Sequence, residues 1–295
     1  MEHAILKTLA YADIFDYPLS ADEIHHYLTE RSASLAEVQA ALAAMKAAGR
    51  LERRGGYYML CGREGIAEVR RRRSTVARQM WPRALHYGAL MGSLPYVRMV
   101  AVTGALSVDN VEGDDDIDYM IVTQPDRLWL CRSLIILMVR WARRRGDFIC
   151  PNYLVSESAL VFSDRSLYTA HEVVQMVPVA GLEVYTRLRQ VNNWVQSYLP
   201  NARSMCWQRL PPAEMTAGRV WRGAARAMEF TLSSPLGTAL EHWESTRKIR
   251  RMRRNMNGGS EADFSPECCK GHFDSHGNQT LAAYSSRLRA VEPGE

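Results

Sequence analysis

The sequence predicts an α/β protein of the α+β kind, in which a small mixed sheet is flanked by an N-terminal helical module and a helical C-terminal region. Three observations predict this class. Helix-capping signals crowd into the first sixty residues. Strand-like apolar runs and one helical pattern follow each other between residues 97 and 156. The rest is again helical in pattern and becomes richer in basic side chains. We therefore divide the chain into four segments, 1–63, 64–96, 97–165 and 166–295.

The composition is that of an ordinary globular protein, with 47% hydrophobic and 23% charged residues among 295. Lys and Arg exceed Asp and Glu by 37 − 32 = 5, a mildly basic balance that is compatible with polyanionic ligands. The most apolar stretch, 128–141, contains Arg132 and Arg140 and is too short to span a bilayer. We expect no membrane partner, no signal peptide, and a cytoplasmic location in which the six cysteines stay reduced.

The first segment, 1–63, carries signals for three short helices and a hairpin. "SADE" at 20–23 and "SLAE" at 34–37 are capping boxes that begin the second and third helices. Gly49 is placed to end the third helix, and Gly55 and Gly56 form the turn of a β-hairpin. This order of elements resembles a winged helix-turn-helix.

Two interpretations of this winged-helix-like module remain open. A winged helix binds DNA by placing its third helix in the major groove. Here that helix is mostly alanine and aliphatic residues, with Lys46 and Arg50 only at its end, whereas base-reading helices present polar and basic side chains. We therefore favour a packing or dimerisation module and keep DNA as the alternative partner.

The segments 64–96 and 97–165 read as a connecting helix followed by a sheet. The connecting helix is predicted to be strained or broken at Pro82, and its four arginines, 70–73, are predicted to form a solvated face. The runs "YVRMVAVTG", "DIDYMIVT" and "DFICPNYLVS" have strand composition, and "DRLWLCRSLIILMVRWARRRG" is helical. Pro151 indicates an edge or a bulge in the third strand.

Four aspartates lie where the second of these strands begins: Asp114, Asp115, Asp116 and Asp118. Residues two apart in a strand point to the same side, so Asp116 and Asp118 project together while Ile117 turns into the core. Paired carboxylates form a hard-oxygen site of the kind that Mg²⁺ prefers. We assign Asp114 and Asp115 either to loop solvation or to negative charge around the paired acids.

Gly104 ends the preceding strand, twelve positions upstream of Asp116. Glycine lets the backbone approach a bound phosphate closely, and successive backbone N–H groups can form a nest for an anion. The sequence therefore predicts a phosphate-binding turn opposite the paired acids.

The motif "VTGALS…DDDIDYMIV" resembles the nucleotidyltransferase superfamily of DNA polymerase beta, over residues 97–156. The resemblance implies a palm-like mixed sheet that transfers a nucleoside monophosphate from an NTP. It also implies that Gly104 and Ala105 hold the triphosphate and that Asp116 and Asp118 bind two divalent ions, Mg²⁺ or Mn²⁺.

The chain departs from the family pattern at two places. The family has Ser after the glycine, whereas here Ala105 follows and Ser107 lies close by. The family also has a third carboxylate on a later strand, where this chain offers Asn152 within the strand and Glu157 just beyond its end. Either Glu157 takes the catalytic role, or the enzyme works differently, or the domain binds a nucleotide without turning it over.

A second dense patch of polar side chains is "CCKGHFDSHG" at 268–277. Cys269, His272 and His276 have spacing that allows three zinc ligands. Alternatively, Lys270, His272 and His276 fold over the active site and contact phosphates or the acceptor. We favour a third interpretation, a packing helix with surface histidines, and retain Lys270 as a nucleotide-binding candidate.

These observations favour a metal-dependent nucleotidyltransferase that uses an NTP and an acceptor. We expect a small-molecule acceptor, because no long basic groove with interleaved aromatics is visible. The alternative is a degenerate nucleotide-binding sensor that acts on DNA through the winged helix. P-loop, α/β-hydrolase and zincin motifs are absent from the sequence. The sequence specifies neither the NTP, nor the acceptor, nor the oligomeric state.

Overall fold

The structure is a computed structural model that describes residues 1–203, 219–254, 263–271 and 276–291. Its strands are β1 Glu52–Arg54, β2 Tyr57–Met59, β3 Val97–Val102, β4 Ile117–Thr123, β5 Ile149–Ser156, β6 Val177–Ala180, β7 Asp263–Phe264 and β8 Cys268–Lys270. Its helices are α1 Glu2–Asp13, α2 Ala21–His26, α3 Leu35–Ala47, α4 Ile66–Gly92, α5 Gly104–Ser107, α6 Leu128–Arg144, α7 Leu167–Gln175, α8 Leu182–Val191, α9 Val195–Tyr198, α10 Arg219–Leu232, α11 Pro235–Arg254 and α12 His276–Val291.

The centre of the molecule is a mixed six-stranded sheet in the order β6-β3-β4-β5-β8-β7. Only β4 and β5 are parallel, and the other neighbouring strands pair antiparallel. The α/β class and the mixed sheet predicted from the sequence are therefore confirmed. The sheet also takes β6, β7 and β8 from the segment 166–295, which the sequence indicated to be helical, so position 165 does not mark the end of the sheet.

Both faces of the sheet are covered. Alternate residues of the central strands enter two different apolar clusters: Val100 and Ile121 pack with α4 and α6, while Met99 and Met120 pack with α7 and α8. A strand that is buried on both sides needs apolar residues at every position. This explains why β3 and β4 read as continuous apolar runs.

Helix α4 runs without a break through Pro82, so the predicted break there is wrong. Its second half lies very close to β6. A Cβ atom added to Gly88 would come within 2.8 Å of Val179, and one added to Gly92 would come within 2.6 Å of Ala180. The two glycines let the helix pack closely on the edge strand of the sheet.

The arginine run on α4 is not simply a solvated face. Arg70 is buried and donates hydrogen bonds to the carbonyl oxygen of Pro18 and to the carboxylate of Glu23, both at 2.6 Å. Arg73 donates to the carbonyl oxygen of Phe15 at 2.9 Å and to Glu112 at 2.8 Å. These side chains attach the N-terminal module to the connecting helix, which corrects the prediction for this run.

The N-terminal module contains the three helices and the hairpin that the sequence predicts. Ser20 and Ser34 each form a complete capping box with the glutamate three residues later. Gly49 follows α3 in the left-handed conformation, with φ +66°. Gly55 and Gly56 connect β1 and β2, both with positive φ.

The first and last helices lie against each other. Asp13, at the end of α1, is buried and forms ion pairs with Arg63 at 2.7 Å and with Arg287 of α12 at 2.6 Å. The rings of Tyr11 and Tyr284 meet edge to face with centroids 5.9 Å apart. The two ends of the chain are therefore joined at one surface of the core.

The apolar stretch 128–141 lies within α6, which packs on β5 and is fixed at its start by α11. Glu241 of α11 accepts hydrogen bonds from the backbone N–H groups of Trp129 and Leu130, at 2.9 and 2.8 Å. A carboxylate at this position accepts hydrogen bonds from N–H groups that have no partner within the helix, and its negative charge interacts favourably with the helix dipole. Across the described ranges, no helix is both long and apolar enough to span a lipid bilayer.

Candidate functional site

The paired aspartates meet a cysteine at the beginning of the central strands. One ligand atom from each of Asp116, Asp118 and Cys150 lies within 4.8 Å of the other two. Asp116 is exposed, and the other two side chains are half-buried. Within the four described ranges this is the one group of three or more His, Cys, Asp or Glu side chains close enough to share a metal ion.

Parallel pairing and a bulge bring Cys150 to this position. Asp118 of β4 lies opposite Cys150 of β5, and the next recorded pair is Met120 with Tyr153, so β5 carries an extra residue here. Pro151 lies in this irregular stretch, and β8 pairs only with positions 153–155. The extra residue confirms the bulge predicted at Pro151. Proline is tolerated there because the sheet requires no hydrogen bond from its nitrogen.

Gly104 brings the backbone next to Asp118. Its φ is +64°, and a Cβ atom placed on it would lie 2.6 Å from Oδ2 of Asp118. The backbone N–H of Thr103 donates to the carbonyl oxygen of Asp118 at 3.0 Å. The turn and the carboxylate can therefore be this close only because residue 104 has no side chain.

Burial and neighbouring charge shift the pKa values of two of the three side chains in this cluster. Burial, and then the neighbouring charge of Asp116, raises the pKa of Asp118 to about 7. Burial and the charges of both aspartates raise the pKa of the Cys150 thiol above its ordinary value, so the thiol stays protonated at neutral pH. The protonated thiol donates hydrogen bonds to the carboxylates of Asp118 and Asp116.

A third carboxylate approaches from α7. Glu172 is half-buried, and burial raises its pKa to about 7, while the charge of Lys270 opposes this shift. The charge of Glu172 is also one of the weaker causes that raise the pKa of Asp118, after burial and the charge of Asp116. Sequence reasoning missed Glu172. The available signal was that it is the one carboxylate in the largely apolar helix Leu167–Gln175.

Glu157, the predicted third acid, is at the wrong end of the sheet. Because β4 and β5 are parallel, the end of β5 lies beside Thr123 at the end of β4. Glu157 is therefore about 20 Å along the strand from Cys150, and its carboxylate pairs with Arg187 at 3.1 Å. Asn152 lies nearer and lines a small cavity of about 50 Å³ together with Glu172 and Lys270.

The predicted nucleotide-binding residues divide into two groups. Gly104 and Ala105 lie at the rim of a cavity, with Ala105 exposed, and Lys270 of β8 lies near Glu172. Ser107 is buried, and its hydroxyl donates to the carbonyl oxygen of Gly104 at 2.7 Å. Ser107 therefore stabilises the turn from inside and is not available to a ligand, contrary to the prediction.

A cavity of about 360 Å³ opens beside the Gly104 turn. It lies between α1, α7 and α12, and Glu172 lines both this cavity and the smaller one at Asn152. Its volume is within the range of small-molecule sites. Its described lining residues are Thr8, Tyr11, Ala12, Phe15, Tyr17, Leu19, Tyr27, Gly104, Ala105, Val108, Asn110, Tyr168, His171, Glu172, Gln175, His276 and Thr280.

The remaining candidates are separate from the cluster of Asp116, Asp118 and Cys150. Asp115 accepts a hydrogen bond from the backbone N–H of Glu112 at 2.8 Å and so shapes the acidic loop. Cys269 is buried in the sheet opposite Leu154. His276 begins α12 and lines the 360 Å³ cavity. The zinc hypothesis also requires His272, which lies outside the described residues.

No protein-family model, no curated protein and no solved structure matches this chain. Its function therefore has to be inferred from the residues of the site.

Proposed function

We propose that the chain is a divalent-metal-dependent nucleotidyltransferase that moves a nucleoside monophosphate from an NTP to an acceptor, with a small molecule as the favoured acceptor class. The pairing of Asp116 with Asp118 beside the turn at Gly104 carries the proposal. The Asp118 carboxylate lies against this turn, and an oxygen of Asp116 lies within 4.8 Å of it, so a metal held by the two acids would lie close to backbone N–H groups that could bind a phosphate.

The donor set fits a hard divalent cation. Asp116 and Asp118 would hold Mg²⁺ or Mn²⁺, which when bound neutralises charge on the phosphate oxygens. The raised pKa of Asp118 supports this assignment, because a cation offsets the cost of burying the Asp118 carboxylate beside the charge of Asp116. Cys150 supports them as a hydrogen-bond donor, since its thiol stays protonated.

The other residues near the site supply the remaining parts of the reaction. The backbone of Gly104 and Ala105 lies at the rim where the triphosphate would be bound. An acceptor oxygen forms a bond to the α-phosphorus, and the bond from that phosphorus to the bridging oxygen of pyrophosphate breaks. The acceptor proton goes to Glu172, whose pKa of about 7 suits a general base at neutral pH. Lys270, beside Glu172, balances charge as the phosphates arrive.

The sheet gives the proposal a structural context. The mixed sheet presents the acids at the start of a central strand, β4, with β3 and its glycine turn on one side and β5 on the other. This arrangement is compatible with the palm-like core implied by the resemblance of "VTGALS…DDDIDYMIV" to the DNA polymerase beta superfamily.

The test is release of pyrophosphate from each NTP in the presence of Mg²⁺ or Mn²⁺, with Asp118→Asn as the variant. We expect the release rate to fall roughly 100-fold or more, because the variant loses an anionic metal ligand. Asp114→Asn is the matched control, since Asp114 belongs to the same loop and lies outside the three-residue cluster. It should retain the wild-type rate.

Two results would contradict the proposal. The first is absence of NTP binding to the wild-type protein by calorimetry with metal present. The second is equal loss of pyrophosphate release in Asp114→Asn and Asp118→Asn, which would indicate that the acidic loop acts only through its total charge.

One observation favours a second candidate, a nucleotide sensor without turnover. The residue paired with Asp118 on the neighbouring strand is Cys150, where a third carboxylate would strengthen metal binding. NTP binding with metal but without pyrophosphate release would favour this candidate. The exposed face of α3 argues against DNA as its partner, because it offers mainly alanines together with Glu37, Gln39 and Lys46.

A further inference from the structure

We infer that the 360 Å³ cavity is the acceptor site and takes a small, neutral molecule with an aromatic or apolar body and one hydroxyl group. This inference rests on the proposed function and adds the chemical class of the acceptor. It also gives the N-terminal module a role, because α1 forms one wall of the cavity.

The wall of the cavity is built from aromatic rings that contact one another. Tyr11 stacks on His171 with centroids 4.0 Å apart and ring planes 8° apart, and Phe15 lies 5.6 Å from Tyr11. Tyr27 lies 5.4 Å from His171 on the other side. Phe15 is 40% exposed at the entrance, so a planar ligand can extend this row of rings.

The charge of the cavity indicates a neutral ligand. None of its described lining residues is Lys or Arg, and Glu172 is the one carboxylate among them. A triphosphate placed here would lack any cationic partner on the lining, so we place the phosphates outside it, at the Gly104 rim. The body of a neutral acceptor fits the cavity better than a phosphorylated one.

One polar group defines how such a molecule would be oriented. Nε2 of His171 is fully buried, so it does not contact the ligand. Glu172 lies at the boundary with the metal site and would accept the proton of the attacking hydroxyl. The hydroxyl therefore points toward Asp118 and the ring toward Tyr11.

The test measures binding of 2-phenylethanol to the full chain without nucleotide, by saturation-transfer NMR, with glycerol as the polar comparison. We expect binding of 2-phenylethanol and not of glycerol. Thr280→Phe, which fills the cavity from α12, and Phe15→Ser, which removes the ring at the entrance, should each weaken this binding about tenfold. Phe230→Ser is the matched control, because Phe230 is 85% exposed on α10 and lies away from the cavity.

The NTP affinity with Mg²⁺ is measured on the same variants and should change less than about twofold. Loss of NTP affinity in Thr280→Phe and Phe15→Ser, with 2-phenylethanol binding retained, would make the cavity the nucleoside site and overturn the inference. Absence of 2-phenylethanol binding to the wild-type protein would also overturn it.

Failure of the proposed function gives a different pattern. In that case neither NTP binding nor pyrophosphate release occurs, while 2-phenylethanol still binds and still depends on Thr280 and Phe15. The cavity would then remain an aromatic-alcohol site and lose its role as an acceptor site. Thermal unfolding of each variant separates loss of binding from loss of fold.

Discussion

Gly104 determines how close the backbone comes to the carboxylate of Asp118. It combines a left-handed conformation with a contact to Asp118 that leaves no space for a methyl group. Gly49 has nearly the same φ, +66°, but no atom lies within 4 Å of its added Cβ. Substitution of either glycine would strain the backbone, but only substitution of Gly104 would also displace Asp118. A comparison of the two substitutions therefore separates backbone strain from the effect on the site.

We predict that Gly104→Ala and Gly49→Ala both lower the free energy of unfolding by about 1 kcal/mol or more, because alanine is strained at positive φ. Only Gly104→Ala should also weaken Mn²⁺ binding, by about tenfold, since the methyl group displaces Asp118. Urea denaturation and a Mn²⁺ titration measure the two effects. Equal Mn²⁺ affinities in the two variants would contradict the assignment of Gly104 to the site.

The sequence predicted the residues whose placement depends on local rules. The ligand atoms of Asp116 and Asp118 lie close together where β4 begins, and Gly104 follows β3 after one residue and begins α5. Cys150 and Glu172 could not be found this way. Their approach to Asp118 depends on the register of β5 and on the packing of α7, neither of which is set by neighbouring residues.

At the scale of elements, the contact between α1 and α12 depends on one buried carboxylate. Asp13 has 2% of its side chain exposed, and it pairs with Arg63 and Arg287, which are 31% and 38% exposed. A charge buried to this extent needs its partners. Arg289 lies on the same helix as Arg287, is exposed, and bonds only within the helix, to the carbonyl oxygen of Ser285.

We predict that Arg287→Met lowers the free energy of unfolding by about 1–2 kcal/mol. This cost is smaller than that of breaking a fully buried ion pair, because Arg63 still neutralises Asp13. Arg289→Met should change it by less than about 0.5 kcal/mol. In an Asp13→Asn background the cost of Arg287→Met should fall by about half or more, measured as a double-mutant cycle in urea. An unchanged cost in that background would show that the ion pair does not hold the two helices together.

Elements with strong local signals were predicted, and elements that depend on distant pairing were not. Ser20, Ser34 and Gly49 mark helix ends in the sequence, and the structure has those ends. The strands β6, β7 and β8 are two to four residues long and show no alternation. They become strands because β3 offers an edge to β6, β5 offers an edge to β8, and β8 in turn offers an edge to β7, and only the assembled sheet provides these edges.

At the scale of the whole molecule, two histidines make the fold sensitive to acid. Burial, and then the neighbouring His26, lowers the pKa of His171 to about 3. Burial, and then Arg189, lowers the pKa of His26 to about 4. A histidine whose pKa is lowered by folding makes its full contribution to stability above pH 6.5, its ordinary pKa. This contribution is lost as the pH falls toward the pKa of the folded state.

We predict that His171→Phe makes stability less dependent on pH between about 6.5 and 4. The ring stays stacked on Tyr11, while a slope of up to about 1.4 kcal/mol per pH unit is removed. The pKa values of Asp118 and Glu172 are raised, so their contribution to stability increases as the pH falls. Both carboxylates are present in wild type and in the variant, so the difference between the two slopes comes from His171. Urea denaturation from pH 4 to 7 measures the slope. The exposed His242→Phe serves as control, and equal slopes in wild type and His171→Phe would contradict the prediction.

The pairing of the first helix with the last has a consequence for the newborn polypeptide. While a ribosome adds the residues between α1 and α12, the ring of Tyr11 is not yet in contact with the ring of Tyr284. At about 5–20 residues per second, this interval lasts on the order of ten seconds to a minute. During this interval an aromatic surface stays uncovered and accessible to chaperones. The 360 Å³ cavity beside Gly104 is complete only after α12 has been synthesised.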